Sequence, residues 1–358
     1  MSPRDRTGDA GVGGRRERDR EERLGAIRRE AAEAGRVAGE GVWPAGAPFP
    51  AAAARASAET GYYGQPLLKR PVWTWEVPVY FFTGGAAGAA AVIAAAARAA
   101  GAGPELARDA RWIAALGGAA SPALLVSDLG RPERFLNMLR VFKPGSAMSV
   151  GAWTLVAFST ASSARAFADL LERRNAGADR SPGRSPGRSA GGPRLPVRVL
   201  ANAAEALSAA TGTVMASYTG VLVGATVIPV WNRSVRVLPI HFAASGLASA
   251  VALLELLGHR HRALNFLGIA AAAVETAVGA VHETDPDPVY EPLKRGRSGA
   301  IVRTGGVLSG PVPLVLRLLG ARRAAAVSAL AGSLLTRFGW VEAGKVSADD
   351  PFLPLGLE

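Results

Sequence analysis

From Val77 onward, long apolar blocks alternate with short charged or Pro/Gly-rich breaks. Each block approaches the ~20 residues that a helix needs to cross a bilayer. Most blocks lack the polar stripe at every third or fourth position that a soluble helix shows. The pattern predicts an all-α, polytopic membrane bundle of about eight transmembrane helices. The predicted spans are Val77–Ala97, Trp112–Ser127, Val150–Leu171, Ala206–Val230, Leu238–Leu257, Leu264–Val281, Ile301–Leu319 and Ala324–Trp340.

The segments outside the apolar blocks are polar. Residues 1–60 contain no apolar run, which predicts a disordered, cytosol-made tail rather than a cleaved leader. The membrane domain is expected over 61–345, followed by a C-terminal tail over 346–358. Within it, the tandem SPGRSPGR predicts a flexible loop over 180–196, because repeated Pro and Gly cannot sustain a helix.

The net charge of +12 indicates a lipid surface rather than nucleic acid. The arginines lie mainly in the tails and between apolar blocks, where they contact anionic head groups and set topology. The positive-inside rule gives conflicting answers here, because the arginine-rich N-terminal tail and the arginine-rich 180–196 loop fall on opposite membrane faces. The orientation of the chain therefore stays open.

Cysteine is absent, so this chain holds no thiolate metal site and no cysteine-ligated iron–sulfur cluster. If the protein handles electrons, the metal centres belong to a partner. His241 begins the fifth predicted span and His282 ends the sixth, which leaves a b-type haem open as an alternative. Two interfacial histidines are the more common outcome of such a pattern.

Candidate chemistry concentrates at the first span and at the end of the second. Glu76 and Tyr80 lie four residues apart on one helix face at the water–lipid boundary. Asp128 follows the second span, and the alternation of spans brings it to the same membrane face. A carboxylate there can exchange protons with water and a phenol can hydrogen-bond a carbonyl, which suits a quinone head group.

Other polar residues have expected roles around this face or deeper in the bilayer. The aromatic approach with Trp73 and Trp75, and the arginines of the DLGRPERF loop, Arg131 and Arg134, are candidates for partner docking. Intramembrane carboxylates are functional candidates by default, so Glu255 and Glu275 are assigned to a proton path. Their structural alternative is a snorkelling or paired side chain.

The segments GYYGQPLLKRPVWTWEVPVYFFTGGAAG, DLGRPERFLNMLRVFKP and SVGAW resemble the polysulfide reductase NrfD family over roughly 62–340. The resemblance implies an eight-helix, haem-free membrane subunit that binds menaquinone or a similar quinol. It also implies a docked ferredoxin-like iron–sulfur subunit that serves a molybdopterin or tungstopterin catalytic subunit, as in formate dehydrogenase-like systems.

The family's quinone pocket matches Tyr80, Asp128 and, in MASYTGVL, Tyr218. Polysulfide reductase itself is similar here but carries a histidine at the Tyr80 position, and Val77 replaces a polar residue. These departures argue against polysulfide as the substrate. The resulting expectation is a quinone-reacting subunit in the plasma membrane, with a secondary transporter or a purely structural anchor as alternatives.

Overall fold

A computed structural model describes residues 68–129, 131, 133–178 and 195–350. The tail predicted over 1–60, most of the loop predicted over 180–196 and residues 351–358 lie outside this part. The regular secondary structure of the described part consists of α-helices and one 3-10 helix, Pro288–Tyr290, without strands. The helices are α1 Glu76–Ala99, α2 Pro104–Asp128, α3 Arg134–Met138, α4 Ala147–Ala178, α5 Leu195–Gly224, α6 Pro229–Arg233, α7 Leu238–Leu256, α8 Arg262–Thr284, α9 Glu291–Lys294, α10 Gly296–Ser309, α11 Pro311–Leu318 and α12 Arg322–Asp349.

In the described residues, six segments are long and apolar enough to cross a membrane. They are α1, α5 from Pro196, α7, α8, the pair α10–α11 and α12. The helices α2 and α4 cover the second and third predicted spans, but they are not among the six. The expected bundle of apolar helices is therefore confirmed, while the number eight stays a prediction.

The helices form two groups that meet along α1, α5 and α7. In the first group α1 packs on α2 and α5, and α4 packs against α2 and α5. In the second group α7 packs on α8 and α12, and α10 and α11 pack on α12. Buried apolar residues of both groups join in one core that includes Phe81, Phe158, Met215, Phe242 and Trp340.

Glycines allow the closest helix approaches, because a side chain there would strike backbone. A Cβ at Gly88 of α1 would stand 2.5 Å from the carbonyl oxygen of Gly212 in α5. A Cβ at Gly220 would stand 2.4 Å from the carbonyl oxygen of Leu238, where α7 begins. Small residues at such positions are the usual means by which membrane helices reach dispersion contact.

A Gly88→Ala substitution should destabilise the protein by about 1–3 kcal/mol, the usual cost of overpacking a tight contact. The added methyl group would have to separate α1 from α5. Gly279→Ala on α8 is the matched control, since nothing lies within 4 Å of its added Cβ. Unfolding midpoints in detergent measure both variants, and equal midpoints would contradict the proposed helix contact.

Two of the predicted spans differ from the helices that the structure shows. The fourth was expected to reach Val230, but α5 ends at Gly224 and the short helix α6 begins at Pro229. The seventh is divided into α10 and α11 at Gly310–Pro311, because proline has no N–H to continue the helix. At the C-terminus α12 runs to Asp349, past the expected boundary at 345.

Candidate functional site

Glu76 and Asp128 meet through Thr74, which lies just before α1. The Thr74 hydroxyl donates a hydrogen bond of 2.7 Å to Asp128 Oδ1, and it also contacts the Glu76 carboxylate. The backbone N–H of Thr74 lies 3.4 Å from the same Asp128 oxygen. The start of α1 and the end of α2 therefore share one membrane face, as the alternation of spans predicts. We call Glu76 and Asp128 the carboxylate pair.

The Thr74 hydroxyl lies between the two carboxylates of the pair and links them. It has a single hydrogen, so it donates to one carboxylate at a time. Glu76 and Asp128 are both partly exposed, which leaves the pair open to the surface.

Tyr80 of α1 and Tyr218 of α5 form a second pair, one turn further into the bundle. Both rings are buried, and their hydroxyls are close enough to interact electrostatically. The Tyr218 ring lies against Gly151 of α4, where a Cβ would stand 2.3 Å from Tyr218 Cε1. Its hydroxyl lies beside the backbone of Gly151, and no hydrogen bond of ordinary geometry to it is found among the described residues. A buried, unpartnered hydroxyl is costly unless a ligand completes it.

The residues expected to dock a partner differ in exposure. Trp73 stacks on Trp231 with ring centroids 4.9 Å apart, so the protein itself covers part of this ring. Trp75 is 60% exposed, and Arg131 is also exposed. The side chain of Arg134 is outside the described part. Sequence reasoning missed the exposed run from Arg140 to Lys143, which contains Val141 and Phe142.

Glu275 belongs to a buried polar cluster in the second helix group. Its Oε2 accepts a 2.8 Å hydrogen bond from Ser309 and lies 3.8 Å from His241 Nδ1. Arg337 interacts electrostatically with Glu275, donates to the Phe242 carbonyl and lies over the Phe242 ring. Glu275 of α8 is therefore surrounded by polar groups from three other helices, α7, α10 and α12.

Glu255 has a dedicated partner. Arg317 of α11 donates a 2.9 Å hydrogen bond to Glu255 Oε1, and its second nitrogen lies 2.9 Å from Oε2. Both side chains are almost completely buried. Only the first of these contacts has hydrogen-bond geometry, so the two residues form a buried ion pair joined by one hydrogen bond. The role of Glu255 in a proton path stays a prediction.

A further buried cluster lies at the opposite end of the first helix group from the carboxylate pair. Arg111 contacts Asp169 at 3.2 Å and Glu205 at 2.9 Å, and Arg165 contacts Asp169 at 2.8 Å. Arg98 also contacts Glu205. Sequence reasoning missed this cluster, although Arg165 and Asp169 inside a predicted span were a usable signal.

His241 and His282, the two histidines of the haem alternative, have a common neighbour. Both rings pack against Trp340, at 6.2 Å and 5.3 Å between centroids, so the indole is their shared neighbour. Tyr290 also packs on His282, at 5.4 Å. Burial raises the pKa of the Tyr290 hydroxyl above its usual value, which keeps this phenol protonated.

The chain matches two family profiles that together cover residues 66–349. The profile described as "Polysulphide reductase, NrfD" matches residues 66–264, which is more than half of the chain. A second profile, described as "Polysulfide reductase", matches residues 194–349. The chain belongs to the polysulphide reductase NrfD family. A search of curated proteins found no match.

Membership of the NrfD family fixes the general type of molecule. Its members are membrane subunits that partner with other redox subunits, and the six apolar helical segments agree with that type. The protein is therefore a multi-pass membrane protein of the NrfD family. The match includes both the carboxylate pair and the buried cluster around Glu275.

Proposed function

We propose that this NrfD-family chain is the quinone-reacting membrane subunit of a multi-subunit oxidoreductase in the plasma membrane. It anchors an iron–sulfur subunit and exchanges electrons with menaquinone or menaquinol. The observation that supports this most is the hydrogen-bonded carboxylate pair, one helix turn along α1 from the buried Tyr80.

Each residue has a definite part in the proposal. A quinone supplies two-electron chemistry and takes up two protons on reduction. Tyr80 and Tyr218 hold its oxygens by hydrogen bonds, and the absence of a side chain at Gly151 makes room for Tyr218. Asp128, Thr74 and Glu76 pass protons between this site and the surface. Glu275 and Glu255 are the proposed groups for a deeper proton path.

The electron partner has to be another chain. With no cysteine, this chain has no ligands for an iron–sulfur cluster of the usual kind. Trp75 is exposed before α1, and the segment after α3 exposes Val141 and Phe142 between the basic residues Arg140 and Lys143; chain order puts both segments on the face of the carboxylate pair. We call these exposed residues the docking surface, and we propose that the iron–sulfur subunit binds there.

The catalytic subunit lies beyond the iron–sulfur subunit. On family resemblance we propose a molybdopterin or tungstopterin protein, with formate oxidation coupled to quinone reduction as the preferred activity of the complex. Resemblance alone carries this choice, because the residues of a membrane anchor do not determine the terminal substrate.

The proposal is tested by purifying the tagged full chain from its native membrane in mild detergent. Iron, with molybdenum or tungsten, and extractable menaquinone are expected to co-purify. A Phe142→Ala/Arg140→Glu variant should lose the metals but keep the quinone, while Leu319→Ala at the opposite end should lose neither. A chain that purifies alone, without metal or quinone, would favour the transporter.

A further inference from the structure

A cavity of about 330 Å³ opens in the second helix group, away from the Tyr80–Tyr218 pair. We call it the C-terminal cavity; its walls include His241, Glu275, Gly279, His282, Gly306 and Trp340. Its volume lies at the lower end of the roughly 300–1,000 Å³ found for ligand sites. It shares none of its lining residues with the carboxylate pair or the tyrosine pair, so it is a separate site.

The cavity opens between α8 and α10, at positions inside two membrane-spanning segments. Gly279, Ala280 and Val307 line it and are exposed on the outer surface of the protein. In a membrane this surface faces lipid, so a ligand would enter from the bilayer. The Arg303–Glu283 ion pair stands at the same mouth.

The inner wall carries polar atoms that the protein leaves without partners. Both ring nitrogens of His241 are buried and have no hydrogen bond within the described residues. Oε1 of Glu275 has none of ordinary geometry there, although the Ser245 hydroxyl lies close to this carboxylate. Both side chains are more than nine-tenths buried. A buried polar group without a partner costs about 1–3 kcal/mol, so its retention in a cavity wall indicates a ligand.

Among the residues that line the cavity, the unpartnered polar atoms are mainly hydrogen-bond acceptors, whereas the unpartnered donors Nε and Nη1 of Arg337 belong to a residue outside the lining. The carbonyl of Val278 can only accept, so His282 donates to it from Nδ1 at 3.0 Å, which leaves Nε2 of the neutral ring as an acceptor. Glu275 Oε1 is an acceptor when ionised, and His241 offers at least one acceptor when neutral. A ligand that satisfies these acceptors has to supply hydrogen-bond donors.

The remaining features select an uncharged, flat head group with an apolar tail. At the mouth the charges of Arg303 and Glu283 offset one another, and behind the wall Arg337 lies near Glu275, so a neutral ligand fits the site. Trp340 offers an aromatic surface in a wall that also includes the apolar residues Val278, Leu293 and Val302. An aromatic diol on a lipid chain has this combination of properties.

We infer that the C-terminal cavity binds the head group of a membrane-soluble hydroquinone, as a second site distinct from the tyrosine pair. The choice of hydroquinone rests on the proposed function, whereas the cavity and its unpartnered acceptors do not. The ligand's hydroxyls donate to Glu275 and to the histidines, and its tail leaves between α8 and α10. Because the wall is rich in acceptors, the site prefers the hydroquinone over the quinone.

The test is anaerobic equilibrium binding of 2-methyl-1,4-naphthohydroquinone to the full chain in lipid nanodiscs. Wild type should bind two molecules, and Gly279→Leu/Gly306→Leu should bind one. Neither glycine has an atom within 4 Å of its added Cβ, so both side chains can fill the cavity without striking backbone. Ala273→Leu, on the exposed side of α8, is the control and should bind two.

Polar variants separate the two sites. His241→Phe and Glu275→Gln should each weaken the second site about tenfold, the effect of losing one good hydrogen bond. Tyr80→Phe/Tyr218→Phe should weaken only the first site. The oxidised quinone should bind the second site at least about tenfold more weakly than the hydroquinone.

The outcomes distinguish this inference from the proposed function. Unchanged stoichiometry in Gly279→Leu/Gly306→Leu, or equal binding of both oxidation states, would overturn the second site alone. Binding that the glycine variant abolishes completely, and the tyrosine variant leaves intact, would support the second site and contradict the first. No binding to any form of the chain would overturn both.

Discussion

Asp128→Asn should lower quinol-dependent turnover of the assembled complex by about 100-fold, the lower end of the usual contribution of general acid–base catalysis. Asparagine can still accept the hydrogen bond from Thr74, so the start of α1 and the end of α2 stay together. It cannot take up a proton, and the proposed proton path from Glu76 through Thr74 is interrupted. The measurement is oxidation of a menaquinol analogue by the purified complex with an artificial electron acceptor.

Controls separate proton transfer from assembly. Glu133→Gln removes an exposed carboxylate from the same loop and should leave turnover unchanged. Thr74→Val keeps both carboxylates but removes the hydroxyl between them, and its loss of turnover should be smaller than that of Asp128→Asn. Metal and quinone content should equal wild type in all three. Turnover within twofold of wild type in Asp128→Asn would favour the purely structural anchor.

Arg317→Leu should destabilise the chain by about 3–5 kcal/mol, because it leaves the Glu255 carboxylate buried without its counter-charge. The leucine also fails to fill the space beside Gly268, where the guanidinium now lies against the helix backbone. Unfolding of the purified chain by a denaturing detergent, followed by tryptophan fluorescence, measures the change.

The double variant Glu255→Gln/Arg317→Met should recover most of that loss, since it removes both buried charges together. Arg295→Ala breaks an exposed ion pair with Glu291 and should change the midpoint little. If Arg317→Leu unfolds like wild type, Glu255 does not depend on this pair, and its assignment to a proton path gains support.

The sequence predicted those features of the fold that depend on a single helix, such as its position and its apolar character. Block length and composition located the apolar helices. The break at Gly310–Pro311 was missed, because an apolar run of spanning length looks the same whether one or two helices form it.

The candidate site was predictable only in part. Alternating spans placed Glu76 and Asp128 on one face, but not the Thr74 hydroxyl that joins them. Glu275 and Glu255 stood out as intramembrane carboxylates. Their partners Ser309 and Arg317 did not, because those contacts span 34 and 62 residues of sequence.

The amino-acid sequence was enough to identify a helical membrane protein with no cysteine for a metal cluster, and to place the candidate chemistry near the first two spans. Hydrophobic length and residue type are local properties, so they can be read without a fold. The contacts between distant polar groups became visible in the folded bundle: Tyr218 against Gly151, Arg317 on Glu255, and the unpartnered acceptors around the C-terminal cavity. These contacts depend on the rotation and depth of each helix relative to its neighbours. The packing of the whole bundle sets both.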